Sequence, residues 1–264
     1  MEIVLSIAVS DTSAGAGIQQ DLKTITALGC YGATVITALT SQNTLGVQDV
    51  MSVPPQTVRS QLQAVFADLD VAAIKLGQIP NRGVAEVIVE ELKGVLARKQ
   101  VPVVYDPVMI STSGRRLMEE DCIAYVCKHL FPLCTLVTPN LPETETLTGK
   151  SIVTVKDYDE AGRTLVGNSS AAFLLKGGHA QSEQMTDRLY VVGGPTFSFA
   201  SPRIESKNLH GTGCTLSSAV ASMLAKGFAL DDAVGKAKEV VSRAIEKGRD
   251  LKIGSGNGPL WVVE

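Results

Sequence analysis

The segment NLHGTGCTLSSAVAS, residues 208–222, places two glycines and a cysteine at the start of a pattern that predicts a buried helix. The first turn of a helix has unpaired backbone N–H groups and the positive end of the helix dipole, so it binds anions. We therefore expect the backbone N–H groups from His210 to Cys214 to bind a phosphate, because glycine lets a ligand approach the main chain closely. In that field the Cys214 thiol is expected to have a lowered pKa. A tight turn followed by an ordinary buried cysteine is the alternative.

Two further sets of side chains suit phosphoryl transfer. Asp106 in YDPVM, with Asn140 and Glu143 in TPNLPE, offers oxygen ligands suited to Mg²⁺, directly or through water. Lys176 in LKGGH ends an apolar run and is placed to reach the phosphates of ATP. Such a site needs an anion cradle, carboxylates for a metal, a cation for the phosphates and a base for the acceptor. The alternatives are that Asp106 only caps a strand end and that Lys176 only extends from a turn into solvent.

Composition and missing motifs argue against several classes of protein. Nothing matches GxxxxGK[ST], and SAGAG lacks the spacing of GxGxxG, which argues against a P-loop or dinucleotide-binding enzyme. A formal charge of −3 and 5% aromatic residues argue against nucleic acid as a partner. No apolar run has the length of a membrane span and the first residues do not resemble a signal peptide, so we expect a cytoplasmic protein without a membrane partner. The five cysteines have no metal-binding spacing, so reduced thiols are expected.

Apolar runs of strand length alternate with helical patterns along the whole chain, without a linker or a repeat between them. Uninterrupted apolar strands are buried on both faces, so the pattern predicts one α/β domain over residues 1–264 with a doubly wound parallel sheet. The predicted strands cover residues 3–9, 33–40, 71–77, 101–106, 134–139 and 171–178, and the predicted helices cover residues 17–29, 54–69, 81–99, 120–130, 213–226 and 230–249.

Residues 187–204 depart from this alternation. Two strand-like segments flank Gly193-Gly194-Pro195, which predicts a β-hairpin at the edge of the sheet. Doubly wound sheets bind ligands beyond the carboxyl ends of their strands. The polar side chains that could do chemistry follow the predicted strands, so the fold is expected to gather them at one edge.

Taken together, the segments SDTSAGAGIQQDLKTITALGCYGATVITALTSQNT, DPVM, TPNLPE, LKGGH, HGTGCTLSSAVA and GNGP resemble the hydroxymethylpyrimidine/phosphomethylpyrimidine kinases of thiamine biosynthesis. These motifs are long, occur in the family's order and cover almost all of the chain. The resemblance implies a ribokinase-like three-layer α/β/α sandwich and a homodimer. It also implies ATP- and Mg²⁺-dependent phosphorylation of 4-amino-5-hydroxymethyl-2-methylpyrimidine, followed by phosphorylation of the monophosphate to the pyrophosphate.

The resemblance also assigns roles to individual residues of this sequence. It implies that Cys214 is the catalytic base, in an anion hole that includes Gly211 and Gly213. The remaining roles are substrate binding by Ser10, Asp21, Gln42 and Val108, ATP binding by Lys176, Asn140, Thr212 and Gly211, and metal binding by Asp106 and Glu143. Gln42 would discriminate between substrates by hydrogen bonding to the aminopyrimidine ring. The alternatives are that Gln42 only caps the second strand and that Asp21 lies on the solvent face of the first helix.

The sequence departs from the family at two places. The first motif contains Val9, Thr12 and Ala14 instead of the more usual residues, so the floor of the pocket is expected to differ slightly. Thr112 replaces a lysine that usually precedes SG, and Arg115 or Arg116 either compensates for the lost cation or is an ordinary loop charge.

Two other functions stay open at this stage. A pyridoxine or pyridoxal kinase, or a bifunctional enzyme, is the nearest rival, although the segment SQNTLG favours the pyrimidine kinase. A ligand-binding or regulatory protein without catalytic activity is the other alternative, because a fold does not fix a function. The intact set of predicted active-site residues argues against it.

Overall fold

A nine-stranded sheet forms the centre of the computed structural model, which describes residues 1–109, 117–178 and 184–263. Its strand order is β3-β2-β1-β4-β5-β6-β7-β8-β9. The strands from β2 to β7 in this order run parallel, whereas β3, β8 and β9 are antiparallel to their neighbours. The strands are β1 (Ile3–Asp11), β2 (Tyr31–Asn43), β3 (Gly46–Ser52), β4 (Val71–Leu76), β5 (Val103–Tyr105), β6 (Leu136–Val137), β7 (Ala172–Gly178), β8 (Gln184–Tyr190) and β9 (Thr196–Pro202).

Helices cover both faces of this sheet. They are α1 (Gly17–Ala27), α2 (Pro55–Asp68), α3 (Arg82–Leu96), α4 (Glu120–His129), α5 (Leu141–Thr148), α6 (Val155–Gly167), α7 (Thr212–Ala225) and α8 (Leu230–Gly248). One buried cluster joins the sheet to α2, α3, α4 and α6, and the other joins it to α1, α7 and α8. The protein is therefore a three-layer α/β/α sandwich, as the sequence predicts. Within the described ranges, no helix is both long and apolar enough to cross a membrane.

The alternation of side chains along the strands explains the two buried clusters. Leu5 and Ile7 of β1 belong to the cluster on one face, whereas Val4 belongs to the cluster on the other. In β5, Tyr105 and Val104 divide between the faces in the same way. Successive residues of a strand point to opposite faces, so a strand covered on both sides must be apolar at nearly every position.

All six predicted parallel strands and the predicted edge hairpin are present. Four elements of the described residues were not predicted from the sequence: β3, α5, α6 and a short 3₁₀ helix at Phe131–Leu133. Strand β3 is an edge strand with mostly exposed or half-buried residues, so its sequence lacks an apolar pattern. Helix α5 has only eight residues and contains three threonines, which have low helix propensity. Helix α6 was missed although its buried positions have helical spacing. Residues Thr112, Arg115 and Arg116 lie outside the described residues.

Candidate active site

A cavity of about 820 Å³ lies at the carboxyl ends of the parallel strands. The structure brings most of the predicted site residues together in its wall: Gln42, Asp106, Val108, Asn140, Glu143, Lys176, Gly211, Thr212, Gly213 and Cys214. Within the described part of the chain, Ser10 and Asp21 are the predicted site residues that do not line it. Its position agrees with the general rule for open α/β sheets.

The first turn of α7 lies against this cavity. No side chain of the described residues caps the helix. The Thr212 N–H donates to the Leu209 carbonyl oxygen at 3.3 Å, so the N–H groups of Gly213 and Cys214 are the candidates for binding a ligand. Gly211 precedes the helix with a φ of 87°, and a Cβ atom there would lie 2.0 Å from the carbonyl oxygen of Gly15. A Cβ atom on Gly213 would lie 2.8 Å from Asp106 Oδ2. Both positions therefore need glycine, because the helix start is packed against neighbouring main chain and against a carboxylate.

Asp106 and Lys176 form an ion pair in the cavity wall. Lys176 Nζ donates to Asp106 Oδ1 at 2.7 Å, and Thr138 Oγ1 donates to the same oxygen at 3.2 Å. Burial opposes the charge on Lys176, but the carboxylates of Asp106 and Glu143 outweigh it and raise the pKa of Lys176. The predicted metal ligand and the predicted phosphate-binding cation thus neutralise each other in the ligand-free protein.

Asn140 and Glu143 form a capping box at the start of α5. The Asn140 side chain accepts a hydrogen bond from the Glu143 N–H at 2.9 Å, and Glu143 Oε2 accepts one from the Asn140 N–H at 2.8 Å. Burial raises the pKa of Glu143 to about 7, with a contribution from the charge of Asp106, while Lys176 acts in the opposite direction. These two residues therefore start a helix and also present oxygen atoms to the cavity.

The donor set fits a metal ion that arrives with a nucleotide. Within the described residues there is no group of three or more His, Cys, Asp or Glu side chains that could hold a metal ion by itself. Magnesium usually keeps several waters and binds through one or two carboxylates together with substrate phosphates. Asp106 and Glu143 supply that number of carboxylates, and both lie in the cavity wall.

The structure corrects the predicted pKa of Cys214. The residue is half-buried at the cavity wall, and burial raises the pKa of its thiol to about 11. The charge of Lys75 and a hydrogen bond from the Gly17 N–H act in the opposite direction, without outweighing burial. The prediction of a low pKa was wrong because burial dominates, and the aspartates paired with the nearby lysines, Asp21 and Asp106, raise the pKa further.

Asp21 is part of a buried network, so the structure contradicts the interpretation that it lies on the solvent face of the first helix. Lys75 Nζ donates to its two oxygens at 2.9 and 2.7 Å, and the hydroxyls of Ser6 and Ser218 donate at 2.6 and 2.8 Å. Asp21 and Lys75 have no solvent-exposed surface. Asp21 therefore does not lie on the solvent face of α1, and the expectation that it contacts the substrate has no support from its position.

Ser10 is likewise not among the residues that line the cavity. Its hydroxyl accepts a hydrogen bond from Gln19 Nε2 at 2.7 Å, at the end of β1. The expectation that Ser10 contacts the substrate therefore has no support from its position. Lys75 borders the cavity, although its side chain has no solvent-exposed surface, and it was missed. A lysine within the apolar run VAAIKL was the available signal, because a buried charge needs a partner.

Gln42 lies within β2 rather than after it. Strand β2 extends to Asn43 and pairs antiparallel with β3, so Gln42 is close to the hairpin turn, opposite Val47. Its side-chain amide lies 3.0 Å from Nε2 of His210, and the same ring nitrogen lies 3.0 Å from Asp11 Oδ2. Asp11 was not predicted as a site residue, although it ends the first strand, in SDTSAGAG.

Comparison with known proteins identifies the family. The model of the family described as phosphomethylpyrimidine kinase matches residues 11–261. This chain belongs to the phosphomethylpyrimidine kinase family. It is 45% identical over 261 residues to the hydroxymethylpyrimidine/phosphomethylpyrimidine kinase of Rhizobium meliloti, a match that covers 98% of this chain and 96% of that relative. The family resemblance predicted from the sequence is confirmed, and the chain is a kinase.

Two solved structures are similar to the whole fold. The crystal structure of phosphomethylpyrimidine kinase from Clostridium difficile has a TM-score of 0.81 and 38% identity, and the match covers 93% of this chain and 100% of that one. The pyridoxal kinase of Staphylococcus aureus, solved with AMP-PCP and pyridoxal, has a TM-score of 0.86 and 31% identity, with coverage of 99% and 93%. The predicted ribokinase-like fold is confirmed.

Proposed function

We propose that residues 1–264 act as one kinase domain that phosphorylates 4-amino-5-hydroxymethyl-2-methylpyrimidine with ATP and then phosphorylates the monophosphate to the pyrophosphate, in thiamine biosynthesis. One observation carries this proposal: the uncapped start of α7, the Asp106–Lys176 pair and Gln42 line a single cavity. A cavity of about 820 Å³ has room for a small ring beside a nucleotide. The 45% identity to a kinase named for both phosphorylations supports the choice of substrate.

In this proposal the chain acts mainly by positioning and charge. The N–H groups of Gly213 and Cys214 bind the transferring phosphoryl group at the helix terminus. Lys176 exchanges Asp106 for the nucleotide phosphates, which frees a carboxylate oxygen. Mg²⁺ bound with ATP would be held by Asp106 and Glu143, directly or through water, and would neutralise the negative charge of the phosphates.

Cys214 has a narrower proposed role, as the base for the alcohol. The thiol is protonated at neutral pH in the ligand-free protein because its pKa is about 11. The role therefore requires the pKa to fall when the site is filled. A phosphate monoester is already ionised and needs no base. We expect Cys214→Ala to reduce the first phosphorylation more than the second in separate steady-state assays, and an equal loss in both would contradict this division.

A coupled ADP-release assay tests the proposed function. Hydroxymethylpyrimidine and its monophosphate are supplied separately, each with and without Mg²⁺, and Asp106→Asn serves as the control for contaminating kinases. We expect Mg²⁺-dependent ADP release with both acceptors from the wild-type protein only. The proposal fails if neither pyrimidine is turned over. Light scattering of the same sample tests the predicted homodimer.

Pyridoxal phosphorylation is the second candidate. The TM-score of 0.86 to a pyridoxal kinase favours it, although identity to that protein is only 31%. Pyridoxal is therefore included beside the pyrimidine at matched concentrations. A higher kcat/KM for pyridoxal would assign the protein to the rival activity, and comparable values would indicate a bifunctional enzyme.

A further inference from the structure

One histidine nitrogen in the cavity wall faces two polar groups at once. His210 Nε2 lies 3.0 Å from Asp11 Oδ2 and 3.0 Å from the side-chain amide of Gln42. An imidazole nitrogen carries either a proton or a lone pair, so it is a donor or an acceptor but never both. The state of this nitrogen therefore decides which end of the Gln42 amide is compatible with it.

Asp11 fixes that state because its carboxylate can only accept hydrogen bonds. It is buried, and it accepts bonds from the N–H and hydroxyl of Ser13 at 2.8 Å and from the N–H of Ala16 at 2.9 Å. Burial opposes its ionisation, but the hydrogen bonds from His210, Ser13 and Ala16 outweigh burial and lower the pKa of Asp11. An ionised carboxylate at 3.0 Å requires His210 Nε2 to carry a proton.

The protonated nitrogen in turn orients Gln42. The structure places the Gln42 NH₂ group 3.0 Å from His210 Nε2 and the amide oxygen 3.5 Å from Thr40 Oγ1. With Nε2 protonated, this placement would bring two donors together, so the amide must be turned end for end, with its carbonyl oxygen facing the ring. The NH₂ group then lies beside the Thr40 hydroxyl, which donates to the Ser10 carbonyl oxygen at 3.0 Å and can accept from the amide. The two side chains in contact with the amide, His210 and Thr40, are both consistent with the turned orientation.

We propose that Asp11 and His210 are positioning residues that hold Gln42 with its carbonyl oxygen toward His210 and its NH₂ group on the Thr40 side, within a cavity wall that these three polar residues share. At this position the site then selects a substrate that offers a hydrogen-bond acceptor, which in an aminopyrimidine is a ring nitrogen and not the amino group. The second statement depends on the proposed function, since that function supplies the aminopyrimidine. The first statement concerns the ligand-free protein alone.

Nitrogen NMR tests the protonation of His210 Nε2, and with it the orientation of Gln42, without any substrate. The chain has three histidines, so a long-range ¹H–¹⁵N spectrum is simple, and a His210→Phe variant assigns the signal. We expect His210 to have a protonated Nε2 in the wild-type protein at neutral pH. An unprotonated Nε2 would overturn the proposal.

Substrate analogues test, through kcat/KM, whether Gln42 binds a ring nitrogen of the pyrimidine. Two analogues each replace one ring nitrogen by C–H, and a third lacks the amino group. With the wild-type protein we expect one ring replacement to reduce kcat/KM by about tenfold or more, since a buried donor loses its partner. This loss should disappear in Gln42→Leu, whereas the loss from removing the amino group should be the same in both proteins. If Gln42→Leu instead abolished the loss of kcat/KM caused by removing the amino group, the proposal would be overturned.

The role of His210 needs its own comparison. In His210→Phe the amide of Gln42 is no longer oriented, so discrimination against the ring-replaced analogue should fall toward that of Gln42→Leu. His129→Phe is the matched control, because His129 lies at the end of α4 against Tyr125 and away from the cavity, and it should discriminate like the wild type. Unchanged discrimination in His210→Phe would contradict the positioning role. If the wild-type protein turned over none of the pyrimidines, the proposed function would fail while the NMR result still decided the orientation of Gln42.

Discussion

Two lysine–aspartate pairs with the same N–O distance lie in different surroundings. Lys75 Nζ and Asp21 Oδ2 are 2.7 Å apart, with side chains that are 0% exposed. Lys176 Nζ and Asp106 Oδ1 are also 2.7 Å apart, with side chains that are 17% and 3% exposed at the cavity wall. Two serine hydroxyls also donate to the enclosed carboxylate, whereas one threonine hydroxyl donates to Asp106.

The comparison shows that surroundings, rather than the pair itself, decide between a structural and a functional role. An enclosed pair has no solvent to replace a lost counter-charge, so it cannot be separated without leaving a charge in the protein interior. A pair at a cavity wall can exchange its partner for water, phosphate or a metal ion. Cys214 experiences both pairs, since Lys75 lowers the pKa of its thiol while Asp21 and Asp106 raise it.

The largest expected effect comes from making the same substitution in both pairs. Asp21→Asn leaves Lys75 enclosed without a counter-charge, so we expect it to reduce the free energy of unfolding by about 3–5 kcal/mol. Asp106→Asn leaves Lys176 at a cavity wall that admits water and still beside Glu143, so a smaller loss of about 1–3 kcal/mol is expected. Urea denaturation of the two variants measures the difference. Equal losses of stability would show that enclosure does not distinguish the pairs.

The second prediction concerns activity instead of stability. Lys176→Met removes the cation proposed to bind the phosphates, so we expect kcat to fall by about 10²–10³-fold. The melting temperature should change little, because Asp106 keeps its bond from Thr138 and contacts the cavity. Parallel kinetics and thermal denaturation check both expectations. A stable variant with wild-type kcat would remove Lys176 from the proposed mechanism.

A smaller effect is expected from adding one methyl group between the Asp106–Lys176 pair and the start of α7. Gly213→Ala places a Cβ atom 2.8 Å from Asp106 Oδ2 and 3.4 Å from Lys176 Nζ, so the helix start or the ion pair must shift. We expect kcat/KM to fall by about tenfold, because phosphoryl transfer depends on position. Gly94→Ala in α3 is the matched control, since a Cβ atom there has no neighbour within 4 Å. A wild-type kcat/KM in Gly213→Ala would show that the close packing of Gly213 against Asp106 does not matter for the reaction.

The smallest expected effect concerns the ionisation of the Cys214 thiol. With a thiol pKa of about 11, the thiolate is a minor species near neutrality. The rate of alkylation by iodoacetamide should therefore rise about tenfold per pH unit between pH 7 and 9.5, without a plateau. Mass spectrometry of the modified peptide measures this rate, with Cys214→Ser as the blank. A plateau below pH 8 would restore the lowered pKa that the sequence suggested.

The parallel core of the fold was predictable from the sequence because apolar runs and helical spacing reflect local burial. Strand β3 and helix α5 were not predictable in this way. Strand β3 is defined by its pairing with β2, and α5 is stabilised by the reciprocal hydrogen bonds of Asn140 and Glu143. Those interactions leave only a weak signal in the hydrophobic pattern.

The site was predictable to a similar extent. The glycines and polar residues after the strands indicated a phosphate site, and most of them line one cavity. The sequence did not show that Asp21 binds Lys75, since the two residues are far apart in the chain. It also did not show that His210 connects Asp11 to Gln42.

The sequence by itself determined the three-layer architecture, the family and the edge of the sheet at which the chemistry lies, because hydrophobic periodicity and long motifs are properties of the local chain. Only the tertiary structure decided which carboxylate pairs with which lysine and how far the Cys214 thiol is from ionising. Both depend on burial and on charges brought together from distant segments, and electrostatic energies are set by those distances and by the exclusion of water.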